Sequence, residues 1–494
     1  MPLSVATTCP ACGGSLEFPH GSTAVRCGFC GSSHLVTGHG RTLSYVIPER
    51  IDLPSAVERA LAKLKEKGGE WQAREATLFF VPYHHFTGQD LFWCMEEDVV
   101  SGGDEGEERG FRAHPLGGLG MEGFLGGLEE TSGHGAPHLT EKRFELATRH
   151  IDRTLPALDA PGLKVFSLGL RPEVLKLSLF QKEAVLQRGQ VSPVQAAGEE
   201  LERQGYAPAR PEGIVARKVI GRTRSIIHFP FWIVEAAARG GKAEVITVVD
   251  GVNGDVTNDA APPALLDSLV ARDGNHFETV GMRPLKCPDC GADLPVRPRD
   301  VVFFCAGCGK AWQILDTELL QVPYAAIPRK GAAAGGEYFP FWVMEARVVS
   351  GGEAIENKYE LTRLAPGLRV PREEDRQVPL RFFVPAFQIG NLNILSRLAG
   401  AFTRTQPVWK GEELPRGTAP SRGCFISPED VLELAPLILF SLVPKGNKRA
   451  LKYALEAQVE VKGAELVLVP FARSSMDYTD EVIGQSIPVA ALRE

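Results

Sequence analysis

The 494-residue sequence is short of the signatures that mark the commonest enzyme classes. It contains no G-x-x-x-x-G-K-[ST], no H-E-x-x-H and no G-x-S-x-G, so P-loop NTPase, zincin and α/β-hydrolase readings lose their usual support. No apolar run reaches bilayer length; the best, Val431 to Val443, is too short and carries Glu433. The N-terminus MPLSVATTCP has neither a basic n-region nor an apolar h-region, so no signal peptide is expected and a cytoplasmic location is the default. Positive charge is not in excess either. Lys and Arg number 54 against 61 Asp and Glu, and the net −7 offers phosphate backbones no overall attraction.

What is present begins with cysteine. Eight of the ten form two quartets, Cys9, Cys12, Cys27, Cys30 and Cys287, Cys290, Cys305, Cys308, each spaced C-x2-C-x14-C-x2-C. Four thiolates offered as two short knuckles suit a tetrahedral Zn2+, one per quartet and two per chain. A glycine follows every pair (Gly13, Gly31, Gly291, Gly309), where the turn past a knuckle calls for positive φ. Iron is the rival metal, and it would make the quartets redox centres. A closed four-Cys site leaves no coordination position for substrate, so the zinc reading is structural. Reduced, metal-bound cysteines also fit the cytoplasm better than disulfides do.

Through CPACGG…CGFCGS and CPDCGA…CAGCGK, residues 9–31 and 287–309 resemble zinc ribbons of the rubredoxin-like group. The resemblance covers about a tenth of the chain and implies a metal and a small β fold; such ribbons also occur in nucleic-acid-binding proteins. The rest of the chain suggests no family.

The quartets recur at an offset of 278, and further landmarks repeat in the same order. Tyr45 and Pro48 pair with Tyr324 and Pro328, and the aromatic strand around Pro82 pairs with that around Pro340. Leu155-Pro156-Ala157-Leu158 pairs with Val384-Pro385-Ala386-Phe387, Val191-Ser192-Pro193 with Ile426-Ser427-Pro428, and IHFPF at 227–231 with VLVPF at 467–471. The expected architecture is therefore α+β and internally duplicated: two four-Cys zinc ribbons, each followed by a mainly antiparallel β domain with a few helices. The expected divisions are ribbon one (1–50), a linker helix (51–75), domain one (76–260) with a Gly-rich loop (101–137), a linker (261–282), ribbon two (283–330) and domain two (331–494). Asp52 or Ser55 caps the linker helix, whose stripe is Ala56, Val57, Ala60, Leu61 and Leu64. Ser192 and Ser427 each read as a cap with proline at N1. Pro263 to Ala271 reads as a short connecting helix.

The prolines Pro82, Pro230, Pro340, Pro385 and Pro470 lack a ladder donor, which suggests edge strands or strand starts. The aromatics around them, among them Phe229, Phe231, Trp232, Phe339, Phe341 and Trp342, read as core rather than as a binding groove. His84, His85 and Cys94 are the one hint of Cys-His chemistry, although adjacent histidines on a strand face opposite ways. His114, His134 and His138 read as a solvated loop. Gly118-Leu119-Gly120-Met121-Glu122-Gly123 matches G-x-G-x-x-G but lacks the strand and helix that motif needs. Arg283, Lys286, Arg297, Arg299, Lys310 and Arg329 make a basic neighbourhood at ribbon two. With no catalytic constellation assembled, the expectation is a zinc-binding interaction or scaffold protein, not an enzyme, with a protein partner. The alternatives are a zinc-ribbon nucleic-acid binder and an iron-containing electron carrier.

Overall fold

The computed structural model describes residues 3–37, 42–100, 139–160, 162–165, 175–194, 199–209, 212–239, 243–270, 279–297, 300–315, 318–329, 337–366, 370–409 and 422–492. The loop 101–137, with His114, His134 and the G-x-G-x-x-G match, lies outside the described residues, as do His138 and Arg299. The fold is mixed α+β and mostly sheet.

Two large sheets dominate. In the first, β1 (Leu43–Val46), β2 (Trp71–Val100), β3 (Leu139–Pro156), β4 (Ile214–Ala238), β5 (Glu244–Asp250) and β6 (Val256–Ala261) surround β4. It pairs antiparallel with β2 and β5 and parallel with β1, while β3 extends β2 and β6 extends β5. In the second, β7 (Tyr324–Ala326), β8 (Glu337–Ser350), β9 (Arg381–Pro385), β10 (Gln458–Arg473), β11 (Asp477–Asp480) and β12 (Ser486–Pro488) take the same pairings around β10. Individual bonds recur as well. Ile47 N donates to His228 O and Ile327 N to Leu468 O, each at 3.0 Å; Ala157 N donates to Pro82 O (3.1 Å) and Ala386 N to Pro340 O (2.9 Å). One landmark shifts: Tyr45 lies opposite Ile227, but Tyr324 lies opposite Leu466, so Ala325 and not Tyr324 takes the matching place beside Val467.

Pro82, Pro230 and Pro470 are not at sheet edges, whereas Pro385 ends β9, an edge strand that pairs only with β8 among the described residues. Pro82 faces His228 and Pro230 faces Phe80, both deep within the β2–β4 ladder. Each of these three sits where the far side of its strand changes partner. Beside Pro82, strand Gln190–Val191 ends at Phe80 and β3 begins at Tyr83. Beside Pro230, β1 ends at His228 and β5 begins at Phe231. Pro470 lies likewise between β7 and β11, at Leu468 and Phe471. Among the described residues no strand stands at the junction to receive an N–H, so the missing donor costs little there. The carbonyls are still used: Gly251 N donates to Pro230 O and Glu481 N to Pro470 O, both at 2.9 Å.

Helix α1 (Leu53–Glu66) starts as the sequence implies, with Asp52 accepting from Ser55 N at 3.0 Å and Ala56, Ala60 and Leu64 buried. Leu392–Thr405 forms α2, and the apolar run near 431–443 forms α3 (Pro428–Leu442), capped by Ser427 accepting from Asp430 N at 3.0 Å. Ser192 does not cap. Val191 pairs with Phe80, Ser192 N donates to Phe80 O at 3.1 Å, and the chain stays non-helical through residue 194. Pro263 precedes the Ala264–Leu269 helix. No helix among the described residues is long and apolar enough to cross a membrane.

The expected aromatics form core: Phe229, Phe231, Phe339, Phe341 and Trp342 are at most 2% exposed, and Trp232 is buried. The core of the second sheet also receives Leu91 and Trp93 from β2 and, from β3, the partly buried Phe144 and Leu146. Trp93 Nε1 donates to Leu437 O in α3 at 3.2 Å.

The proline junctions give a paired prediction. Gly251→Ala places a Cβ 2.8 Å from Pro230 O and is expected to cost about 1–3 kcal/mol through overpacking. Pro230→Ala should cost only the chain-entropy contribution, about 0.4–1 kcal/mol. Urea unfolding of the two variants checks the order.

Candidate metal centres

Each quartet is made of two knuckles with one hydrogen-bond pattern. Cys9 N donates to Gly14 O and Gly13 N to Cys9 O; Cys27 N donates to Ser32 O and Gly31 N to Cys27 O. Cys287 with Gly291 and Cys305 with Gly309 repeat it, all eight bonds spanning 2.8–3.0 Å. The four glycines have φ of 72°, 75°, 74° and 79°, the left-handed region that a Cβ disfavours. In ribbon one, one cysteine of each knuckle is buried and the other exposed.

The sulfurs converge. Within each quartet all four lie within 4.8 Å of one another, a group that could hold a metal ion. Neighbouring pairs are 3.9 Å (Cys9–Cys30), 3.8 Å (Cys12–Cys27), 3.6 Å (Cys287–Cys308) and 3.4 Å (Cys290–Cys305) apart. Sulfurs about 2.3 Å from a tetrahedral ion are about 3.8 Å from each other, whereas a disulfide would bring two to about 2.05 Å. The donor set therefore fits a closed four-thiolate site, and all ten cysteines are free thiols.

The two ribbons are joined. Strand Gly281–Pro284, just before the second quartet, pairs antiparallel with Ser33–Thr37 of the first, and Leu285 N donates to Ser33 O at 2.9 Å. Leu35, Leu285, Leu294, Phe303 and Trp312 form a common core with Cys287 and Cys305. Beside the first quartet lies a residue that the spacing argument missed. His34 is 1% exposed, and its Nε2 is 3.3 Å from Cys9 Sγ and 2.8 Å from Ser32 Oγ. Ser32 Oγ is 2.9 Å from Cys30 Sγ, and this bond leads the influences that hold the Cys30 thiol down to about 6. The sequence carried no clear signal for it, because His34 sits among polar and apolar residues in SHLVT and its partner Cys9 is 25 residues away.

The other candidates separate. His85 Nδ1 is 2.9 Å from Thr154 Oγ1, while Cys94 is nine residues further along the same strand, about 30 Å at β spacing. The Cys-His pairing is thereby excluded: Cys94 Sγ donates to Glu145 O at 3.5 Å instead. His85 meets His20, unremarked in sequence, at 4.8 Å between ring centroids, and His20 Nε2 is 2.6 Å from Ser225 Oγ. This contact docks the Ser15–Pro19 hairpin of ribbon one onto the first sheet. In the basic neighbourhood of ribbon two, Lys286 pairs with Asp293 (3.0 Å), Lys310 with Asp289 (2.7 Å) and Arg329 with Glu481 (2.9 Å).

Comparison of the chain with family models, curated proteins and solved structures finds no match.

Burial pushes His20 down to about 3, helped by the charge of His85, and burial, partly opposed by the bond to Tyr45 O, pushes His228 down to about 4. Both are neutral when folded, so the unfolded chain binds more protons below about pH 6.5 and stability falls as pH drops from there toward 4. The expected slope is about 1.4 kcal/mol per pH unit for each histidine. His20→Asn should remove one such increment, read as the difference between wild-type and variant urea curves at pH 7 and pH 5.

Proposed function

We propose that the chain is a zinc-dependent scaffold: two diverged copies of one ribbon-plus-sheet unit, holding two structural Zn2+ ions and binding a protein partner. The observation that carries this reading is the pair of closed four-thiolate clusters whose ribbons share a β sheet and a core. Metal at either site then contributes to the folding of both ribbons. What supports the duplication is the recurrence of six strands, their pairings and the hydrogen bonds at Pro82/Pro340 and Pro230/Pro470. The residues that would hold the ions are the eight cysteines, and bound zinc would supply neutralising charge and cross-linking. The nucleic-acid alternative rests on the cations near ribbon two; the carboxylates paired with Lys286, Lys310 and Arg329 weaken it.

Protein purified without added metal is expected to carry two zinc ions per chain and no visible colour. Cys287→Ser with Cys290→Ser should carry one zinc and melt at lower temperature. Elemental analysis with absorbance decides, and iron with thiolate charge-transfer bands would replace the scaffold by an electron carrier. In a low-salt titration no binding of DNA or RNA is expected; tight binding there would favour the nucleic-acid alternative.

A further inference from the structure

The two quartets share spacing and knuckle geometry but differ in what surrounds the sulfurs. In ribbon one, His34 and Ser32 reach the thiolates through their side chains. His34 Nδ1 is buried without a hydrogen-bond partner among the described residues, so the ring proton belongs on Nε2, between Cys9 Sγ and Ser32 Oγ. The Ser32 hydroxyl then has Cys30 Sγ as its acceptor at 2.9 Å. In ribbon two the corresponding residues, 278 positions on, are Lys310 and Trp312. Lys310 directs its ammonium to Asp289 at 2.7 Å and acts on Cys308 and Cys287 only as a nearby charge, and Trp312 Nε1 is buried with no hydrogen-bond partner among the described residues, so neither donates a hydrogen bond to a sulfur as His34 and Ser32 do.

We infer that ribbon one is a tuned metal centre, in which His34 and Ser32 donate hydrogen bonds to metal-bound Cys9 and Cys30, while ribbon two is the plain structural site. A hydrogen bond to a thiolate draws off part of its charge. The sulfur then donates less to the metal and attacks electrophiles more slowly. His34 and Ser32 are positioning residues here: they act through the sulfurs and touch no ion. The asymmetry makes ribbon two the site that reacts first with an electrophile or oxidant, with ribbon one keeping its metal. The inference rests on the reading that the quartets hold zinc.

The test uses the zinc-loaded full chain treated with N-ethylmaleimide, with labelling followed peptide by peptide in a mass spectrometer. Cys30 and Cys290 are both exposed and serve as the reporters. Cys30 is expected to react at least about threefold more slowly than Cys290, the size of one modest hydrogen bond. Ser32→Ala and His34→Phe should each narrow that gap, and His34→Gln, which keeps an N–H, should largely restore it. As a second measurement, the thiolate-to-metal charge-transfer band of the Co2+-substituted chain should move to lower energy in Ser32→Ala, a milder change than loss of the imidazole. Matched rates in the wild type, or a gap and a band that the substitutions leave unmoved, would overturn the tuning while leaving the metal sites standing. A chain that retains neither zinc nor Co2+ would overturn both.

Discussion

Four sulfurs held 3.4 to 3.9 Å from their neighbours are a costly arrangement in the absence of a cation, and much of this chain is arranged to hold them there. Each knuckle is closed by two backbone hydrogen bonds and a glycine at positive φ, so the sulfurs are aimed by main-chain geometry instead of by adjustable side chains. The strands leaving the knuckles then enter larger structures. Ser4–Thr8 continues through Lys176–Leu179 toward the first sheet, and Gly281–Pro284 crosses to the opposite ribbon. A cluster occupying a few residues thereby fixes where distant segments meet.

The second constraint is length. The strands of 30 and 25 residues pair with each other along the whole of the shorter one, and their far sides are shared between successive shorter strands. At each hand-over one backbone N–H would face a gap, and that is where Pro82, Pro230 and Pro470 stand. Proline there removes a donor that had no acceptor and stiffens the chain where the sheet is least supported. A related device seals the outer side of β9. Thr403 Oγ1 accepts from Phe383 N, and Gln406 Oε1 accepts from Arg381 N, so side chains at the end of α2 substitute for a missing strand.

What could be read in advance was whatever depends on neighbours in sequence. The quartets, the glycines beside them, the Asp52 and Ser427 caps and the stripe of α1 are all local, and all appear as the residues imply. Pro82, Pro230 and Pro470 were misassigned to edges because a sequence shows that an N–H is missing but not which side of the strand it would have faced; for Pro385 the edge reading holds. Ser192 carries the same Ser-Pro signal as Ser427, yet pairing of Val191 with Phe80 overrides it; a two-residue cap signal is weaker than a strand contact. His20, His34 and His85 were beyond reach for another reason. Their partners Ser225, Cys9 and Thr154 lie 25 to 205 residues away, and only the tertiary fold brings them together.

Two halves with matching strand pairings would suggest two separable modules, but the packing argues otherwise. The outer part of β2 carries Leu91 and Trp93 into the core around α3, and Trp93 binds a helix carbonyl there. Lys445, just past the end of that helix, directs its amine to Phe440 O and over the rings of Phe440 and Trp93, 3.4 and 4.9 Å from their centroids. Burial lowers that amine to about 7, while the ring faces act in the opposite sense by favouring its charged form. Residues of the first sheet thus complete a core that the second lacks alone, because β8 has 14 residues where β2 has 30.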